Sequence, residues 1–117
     1  MLDKKEIRRQ YKETLPPMGV YQVRNTVNGK IFIGNSKNLT AKQNSYQFQT
    51  KLGSHVSPEF LEDYNKLGGE KFVFEILDYL DPKEGVSYDY TKDLQVLEEL
   101  WIEKLQPFDE RGYNFRK

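Results

Sequence analysis

Gly19-Val20-Tyr21-Gln22-Val23-Arg24-Asn25, then Asn28-Gly29, then Lys30-Ile31-Phe32-Ile33-Gly34: this stretch decides the fold of the chain. Residues 19–25 alternate and are rich in Val and Tyr, the pattern of a half-buried strand. Asn28-Gly29 is the favoured pair for a two-residue type I′ turn, whose central residues both need positive φ. The chain then returns through Lys30–Gly34 as the partner strand. With Asn28-Gly29 as the loop, Asn25 faces Phe32 and Val23 faces Gly34. Side-chain alternation puts Tyr21, Val23, Asn25, Phe32 and Gly34 on one face of the ribbon. Gly34 leaves open space beside Tyr21, where a ligand can approach closely.

Outward from the hairpin, residues 3–14 read as a charged helix stopped by Pro16-Pro17. Asn38 is a helix cap for a segment running to about Lys51, and Ser57-Pro58 starts another that ends near Gly68-Gly69. Phe72–Leu77 is a compact third strand. Asp81–Tyr90, with Pro82 and Gly85, reads as a surface loop. A clearly amphipathic helix spans about Lys92 to Leu105, and a tail runs through Pro107 to Gly112-Tyr113-Asn114. No repeat or linker interrupts the chain, so residues 1–117 are expected to form one compact α/β domain, with 1–17 as a charged helical extension.

The late helix carries a carboxylate where an apolar residue is expected. At 100° per residue, Leu94, Leu97, Trp101, Ile102 and Leu105 form one stripe, and Glu98 falls in its middle. Glu99 and Glu103 point to the far side. A half-buried carboxylate is costly unless it is paired or binds a metal. Two readings follow: a metal ligand or general acid/base, or a carboxylate salt-bridged at the stripe's edge.

Composition narrows the chemistry. The chain has 117 residues, 37% hydrophobic and 31% charged, which suits one globular domain. Cys is absent and His55 is the single histidine, so disulfides, thiolate metal sites and multi-histidine zinc sites are excluded. Half of the aromatic residues are tyrosines, which suits either a polar binding surface or an aromatic core. There is neither a long apolar run nor an apolar region after Met1-Leu2-Asp3-Lys4-Lys5, which points to the cytoplasm and away from membranes. Net charge is zero, but residues 1–55 are basic and the acidic residues lie mostly after 58. A basic half can meet a phosphate backbone, yet this balance implies weak unaided binding to duplex DNA.

Taken in order, these features resemble the GIY-YIG endonuclease superfamily over about residues 18–114. Gly19-Val20-Tyr21 stands where that family has its first tripeptide, and Phe32-Ile33-Gly34 where it has Tyr-Ile-Gly. Asn28-Gly29-Lys30 and Ser36-Lys37-Asn38-Leu39 are similar to its hairpin and helix start. Phe72-Val73-Phe74-Glu75-Ile76-Leu77 is similar to its third strand, Glu98-Glu99-Leu100-Trp101 to its catalytic-glutamate helix, and Gly112-Tyr113-Asn114 to its terminal Gly-Tyr-Asn. The resemblance implies an α+β fold: a small three-stranded antiparallel sheet flanked by helices, with a phosphodiester-cleaving site on one sheet face. It implies Tyr21 as the group that activates water and Glu98 as the ligand of one divalent cation, Mg²⁺ or Mn²⁺. Lys42 stands where the family has a phosphate-stabilising arginine, and Tyr46 stands one turn later on the same helix face. Gly19, Gly34, Lys37 and Asn114 are expected on the substrate side, with Asn114 supporting the helix or the cation's hydration shell.

Two positions depart from the family pattern. Phe32 lacks the hydroxyl of the second tyrosine, and losing a preorganised donor of that kind costs about 10²–10³ in rate. Lys42 keeps the charge but not the planar fork that grips phosphate oxygens. The functions implied are a metal-dependent DNA endonuclease with reduced or lost activity, or a catalytically silent relative. The silent relative would bind nucleic acid, a nucleotide or a protein partner, as in a phage or mobile-element accessory or inhibitor protein. Oligomeric state is open at this level.

Overall fold

The computed structural model describes residues 15–51, 57–82 and 89–114, with side chains of 47–51 left aside. The expected helix over 3–14, His55 and the centre of the 81–90 loop lie outside these residues. Three strands form an antiparallel sheet: β1 (Gly19–Asn25), β2 (Ile31–Ser36) and β3 (Phe72–Tyr79), in the order β2-β1-β3. Among the described residues three helices flank it: α1 (Leu39–Lys51), α2 (Pro58–Leu67) and α3 (Thr91–Leu105), with a 3₁₀ turn at Gly69–Lys71.

Local chemistry starts and stops the helices where the sequence implies. The Asn38 side-chain oxygen accepts from the Ala41 N–H at 3.0 Å, which satisfies one open donor of α1. The Ser57 hydroxyl does the same for Phe60 at 3.2 Å, with Pro58 in the first turn. Gly68, at φ 91, ends α2 in a conformation that suits glycine.

The hairpin register differs from the expected one by two residues. Val23 pairs with Phe32 and Tyr21 with Gly34, so Thr26–Gly29 form a four-residue loop closed by the Asn25 N–H donating to the Lys30 carbonyl at 2.9 Å. The cause is the Asn25 side chain, which is fully buried. Its oxygen accepts from the Val27 N–H at 2.9 Å, and its amide donates to the Tyr113 hydroxyl at 3.0 Å. That local turn makes room for two more loop residues than Asn28-Gly29 alone. Because the shift is even, the residues sharing a face are unchanged.

One sheet face carries an aromatic core. Tyr21, Val23 and Phe72 pack there against Leu39 and Tyr46 of α1, Phe60 and Tyr64 of α2, and Tyr113 of the tail. The Phe60 ring is the hub, 5.2 Å from Tyr113 and 5.3 Å from Phe72 in edge-on contacts and 6.0 Å from Tyr64. A second cluster joins Met18, Tyr90 and Leu94, at the start of α3. The tail protects the outer edge of β2: Ile31 donates to the Arg111 carbonyl and accepts from the Tyr113 N–H.

Candidate active site

Tyr21 is the centre of the arrangement. Its ring stacks on Phe74 at 4.9 Å, and the residue is only 5% exposed. The space beside Gly34 is not open, as the sequence suggests, but filled by the Tyr21 phenol. A Cβ on Gly34 would stand 2.6 Å from the phenol oxygen. The physical reason is the register: Tyr21 faces Gly34 directly, so the ring lies across the one residue of β2 that offers no side chain.

Lys42 and Glu98 are two charged neighbours that bear on Tyr21. Lys42, half-buried on α1, holds its ammonium 5.9 Å from the centroid of the Tyr21 ring. Burial lowers the lysine's pKa from its ordinary value. Glu98 lies on the inward side of α3, half-buried with Leu97, Trp101 and Ile102, while Glu99 and Glu103 are exposed. Burial first, and then the Glu98 charge, push the Tyr21 pKa well above the usual phenol range.

The other expected site residues stand at varied distances from this centre. Tyr46 is buried in the same core cluster as Tyr21, its ring 5.5 Å from Phe74. Phe32 pairs with Val23, which keeps it on the Tyr21 face one pair away, and its ring leans on Phe60 at 5.9 Å. Gly19 lies where β1 meets the end of β3, and a Cβ there would collide with the Asp78 carbonyl. Lys37 is exposed and ion-paired with Asp89 at 3.4 Å. The Asn114 side chain grips the β2 backbone: its oxygen accepts from the Ile33 N–H and its amide donates to the Ile33 carbonyl, both at 2.9 Å. Asn114 therefore holds the strand that carries Gly34.

Two neighbours of the site escaped the sequence reading. Phe74 supplies the surface on which Tyr21 stacks, and the alternation of β3 was the available signal for it. Asp78 accepts from the Trp101 indole N–H at 3.2 Å, a bond between sheet and α3 that no single-sequence pattern announces.

Among the described residues no group of three His, Cys, Asp or Glu side chains stands ready to hold a metal ion. The donor set at the centre is one half-buried carboxylate. It fits a hard cation such as Mg²⁺, which keeps several waters and uses one or two carboxylates with substrate phosphates. It does not fit zinc.

The family profile described as the GIY-YIG catalytic domain matches residues 17–114. Intron-associated endonuclease 1 of Enterobacteria phage T4 is 30% identical over 97 residues, a match covering 82% of this chain and 36% of that protein. The chain thus spans little more than a third of that relative's length. Among solved structures, a mutant of the catalytic domain of intron endonuclease I-TevI aligns with a TM-score of 0.67 at 27% identity, over 84% of this chain and 92% of the other. The catalytic domain of homing endonuclease I-TevI aligns at 0.66 and 26%, over 86% and 99%. With the sheet order, the flanking helices and the tail all in place, the chain belongs to the GIY-YIG family.

Proposed function

We propose that this domain is a divalent-metal-dependent phosphodiester-cleaving module acting on DNA, with a weakened phosphate grip and reduced activity. The observation that carries the reading is the Lys42 ammonium set over the Tyr21 ring, with the inward-facing Glu98 charge acting on the same phenol. Glu98 would hold the cation, which when bound supplies positive charge to polarise a phosphate. The rest belongs to the chain. The Tyr21 phenol stays protonated at neutral pH, so it first serves as a hydrogen-bond donor that orients water or phosphate. Giving up its proton requires positive charge nearby, and the Lys42 ammonium is the described cation set over its ring. Asn114 and Gly34 fix the strand against which the phenol lies.

The weakness is attributed to two positions. Phe32 has no hydroxyl, and Lys42 offers a point charge where an arginine would offer two parallel donors. The function is assigned to the single domain that the family profile matches over residues 17–114, with 1–17 proposed as a charged extension. Supercoiled plasmid incubated with the protein and Mg²⁺ or Mn²⁺ tests the reading. Slow, metal-dependent nicking that disappears in Glu98→Ala is expected; nicking that survives this change would sink the assignment of Glu98.

A second reading, a site that binds without cutting, is favoured by the burial of Tyr21, which is only 5% exposed. On that reading the plasmid stays intact under every metal tested, while a duplex, a nucleotide or a partner protein still binds.

A further inference from the structure

β3 carries one residue more than its partner between two successive pairs: Tyr21 faces Ile76, but Val20 faces Asp78, so Leu77 is a bulge. This irregularity has a directional effect. In an unbroken strand Asp78 would follow Phe72, Phe74 and Ile76 onto the Tyr21 face, because side chains alternate. The extra residue moves Asp78 to the opposite face, shared with Val20, and bulges commonly re-aim a side chain in this way beside active sites. Gly19 makes the crossing possible, since any Cβ there would strike the Asp78 carbonyl.

Once turned, the Asp78 carboxylate is fixed at both oxygens. Oδ1 accepts from the Tyr79 N–H at 2.9 Å, and Oδ2 accepts from the Trp101 indole N–H at 3.2 Å. Trp101 is the single tryptophan of the chain and sits three residues after Glu98, on the same inward side of α3. The Lys104 ammonium, 4.8 Å from the indole centroid, covers the ring. A helix is free to roll on an apolar surface, whereas a hydrogen bond from a buried-side indole to a backbone-anchored carboxylate fixes its rotation.

We infer that Asp78 and Trp101 are positioning residues: their hydrogen bond, made possible by the β3 bulge, sets the roll of α3 and so aims Glu98 at Tyr21. The inference rests on the proposed role of Glu98 as cation ligand. Partners that orient a ligating carboxylate matter nearly as much as the ligand itself.

The test uses Mn²⁺ as a paramagnetic probe, read in ¹H–¹⁵N spectra of the whole chain. In the wild type, broadening centres on Glu98 and reaches the Tyr21 amide, and Glu98→Gln abolishes it. Trp101→Phe keeps an aromatic ring but removes the donor, and Asp78→Ala removes the acceptor. Each is expected to leave broadening at Glu98 while reducing it several-fold at Tyr21. The double variant should be no worse than either single one, as coupled partners require, and Asp78→Asn, which keeps an acceptor, should behave as wild type. If Asp78→Ala does not fold, Trp101→Phe alone decides. Wild-type broadening at Tyr21 in Trp101→Phe overturns the inference while leaving the cation site intact. Absence of Glu98-dependent broadening in the wild type overturns the cation site, and the inference with it.

Discussion

At the residue scale, Tyr21 and Gly34 behave as one unit. The phenol fills the volume that any side chain on Gly34 would need, with 2.6 Å between the oxygen and a Cβ placed there. Gly34→Ala is therefore expected to destabilise the domain by about 1–3 kcal/mol through overpacking. Adding Tyr21→Phe should return only part of that loss, because it removes the oxygen at 2.6 Å but keeps the ring carbon Cζ at 2.8 Å. Urea denaturation of the two single variants and the double variant checks this; additive losses would show that the phenol does not occupy the notch. The sharing of a face by Tyr21 and Gly34 was legible in the sequence, since a period of two survives any even shift of register. The exact opposition was not, because the loop length depends on where the Asn25 side chain sends its hydrogen bonds.

At the scale of elements, the hairpin, α2 and the tail are joined by one polar chain. Asn25 donates to the Tyr113 hydroxyl at 3.0 Å, which in turn donates to Asp63 at 2.7 Å. Tyr113 is 3% exposed, and the Lys30 ammonium lies 5.6 Å from its ring. Tyr113→Phe would leave the buried Asn25 amide without that acceptor and should cost about 1–3 kcal/mol. Its pH dependence has a definite sign. Burial is the main cause that pushes the Tyr113 phenol from 10.0 up to about 12, so the folded protein holds this proton more tightly than the unfolded chain. The contribution is complete below about pH 10 and is lost as pH rises through about 12. Stability curves of wild type and Tyr113→Phe should therefore converge across that alkaline window; parallel curves would contradict the assignment. Helix periodicity found Glu98 and helix caps found α1 and α2, because both signals are local. The bulge at Leu77 and the tail's grip on Ile33 are products of tertiary pairing, and neither Asp78 nor the Asn114 side chain shows its partner in the chain order.

At the scale of the whole molecule, charge is segregated. Glu59, Glu62, Asp63, Asp109 and Glu110 line a cleft of about 470 Å³ with Lys30, whereas Lys42 faces Tyr21. An acidic wall repels phosphates, so duplex binding should be weak, and the part of it carried by lysine contacts should decline with salt. Glu59→Gln/Glu62→Gln is expected to tighten binding of a short duplex at low ionic strength; unchanged affinity would place the nucleic acid beyond reach of that wall. This segregation is legible in the sequence only in part. Its basic half and acidic half were visible, but the cleft gathers residues from α2, the hairpin and the tail that are far apart in the chain.

On the proposed reading, the family's site keeps its cation ligand at Glu98 and has a phosphate grip weakened at Phe32 and Lys42. The most direct measurement is the Mg²⁺-dependent plasmid-nicking rate of Phe32→Tyr/Lys42→Arg against wild type, each also with Glu98→Ala. The prediction is a gain of about 10²-fold in the doubly substituted protein, abolished in both backgrounds by Glu98→Ala. No gain, or a gain indifferent to Glu98, would contradict it.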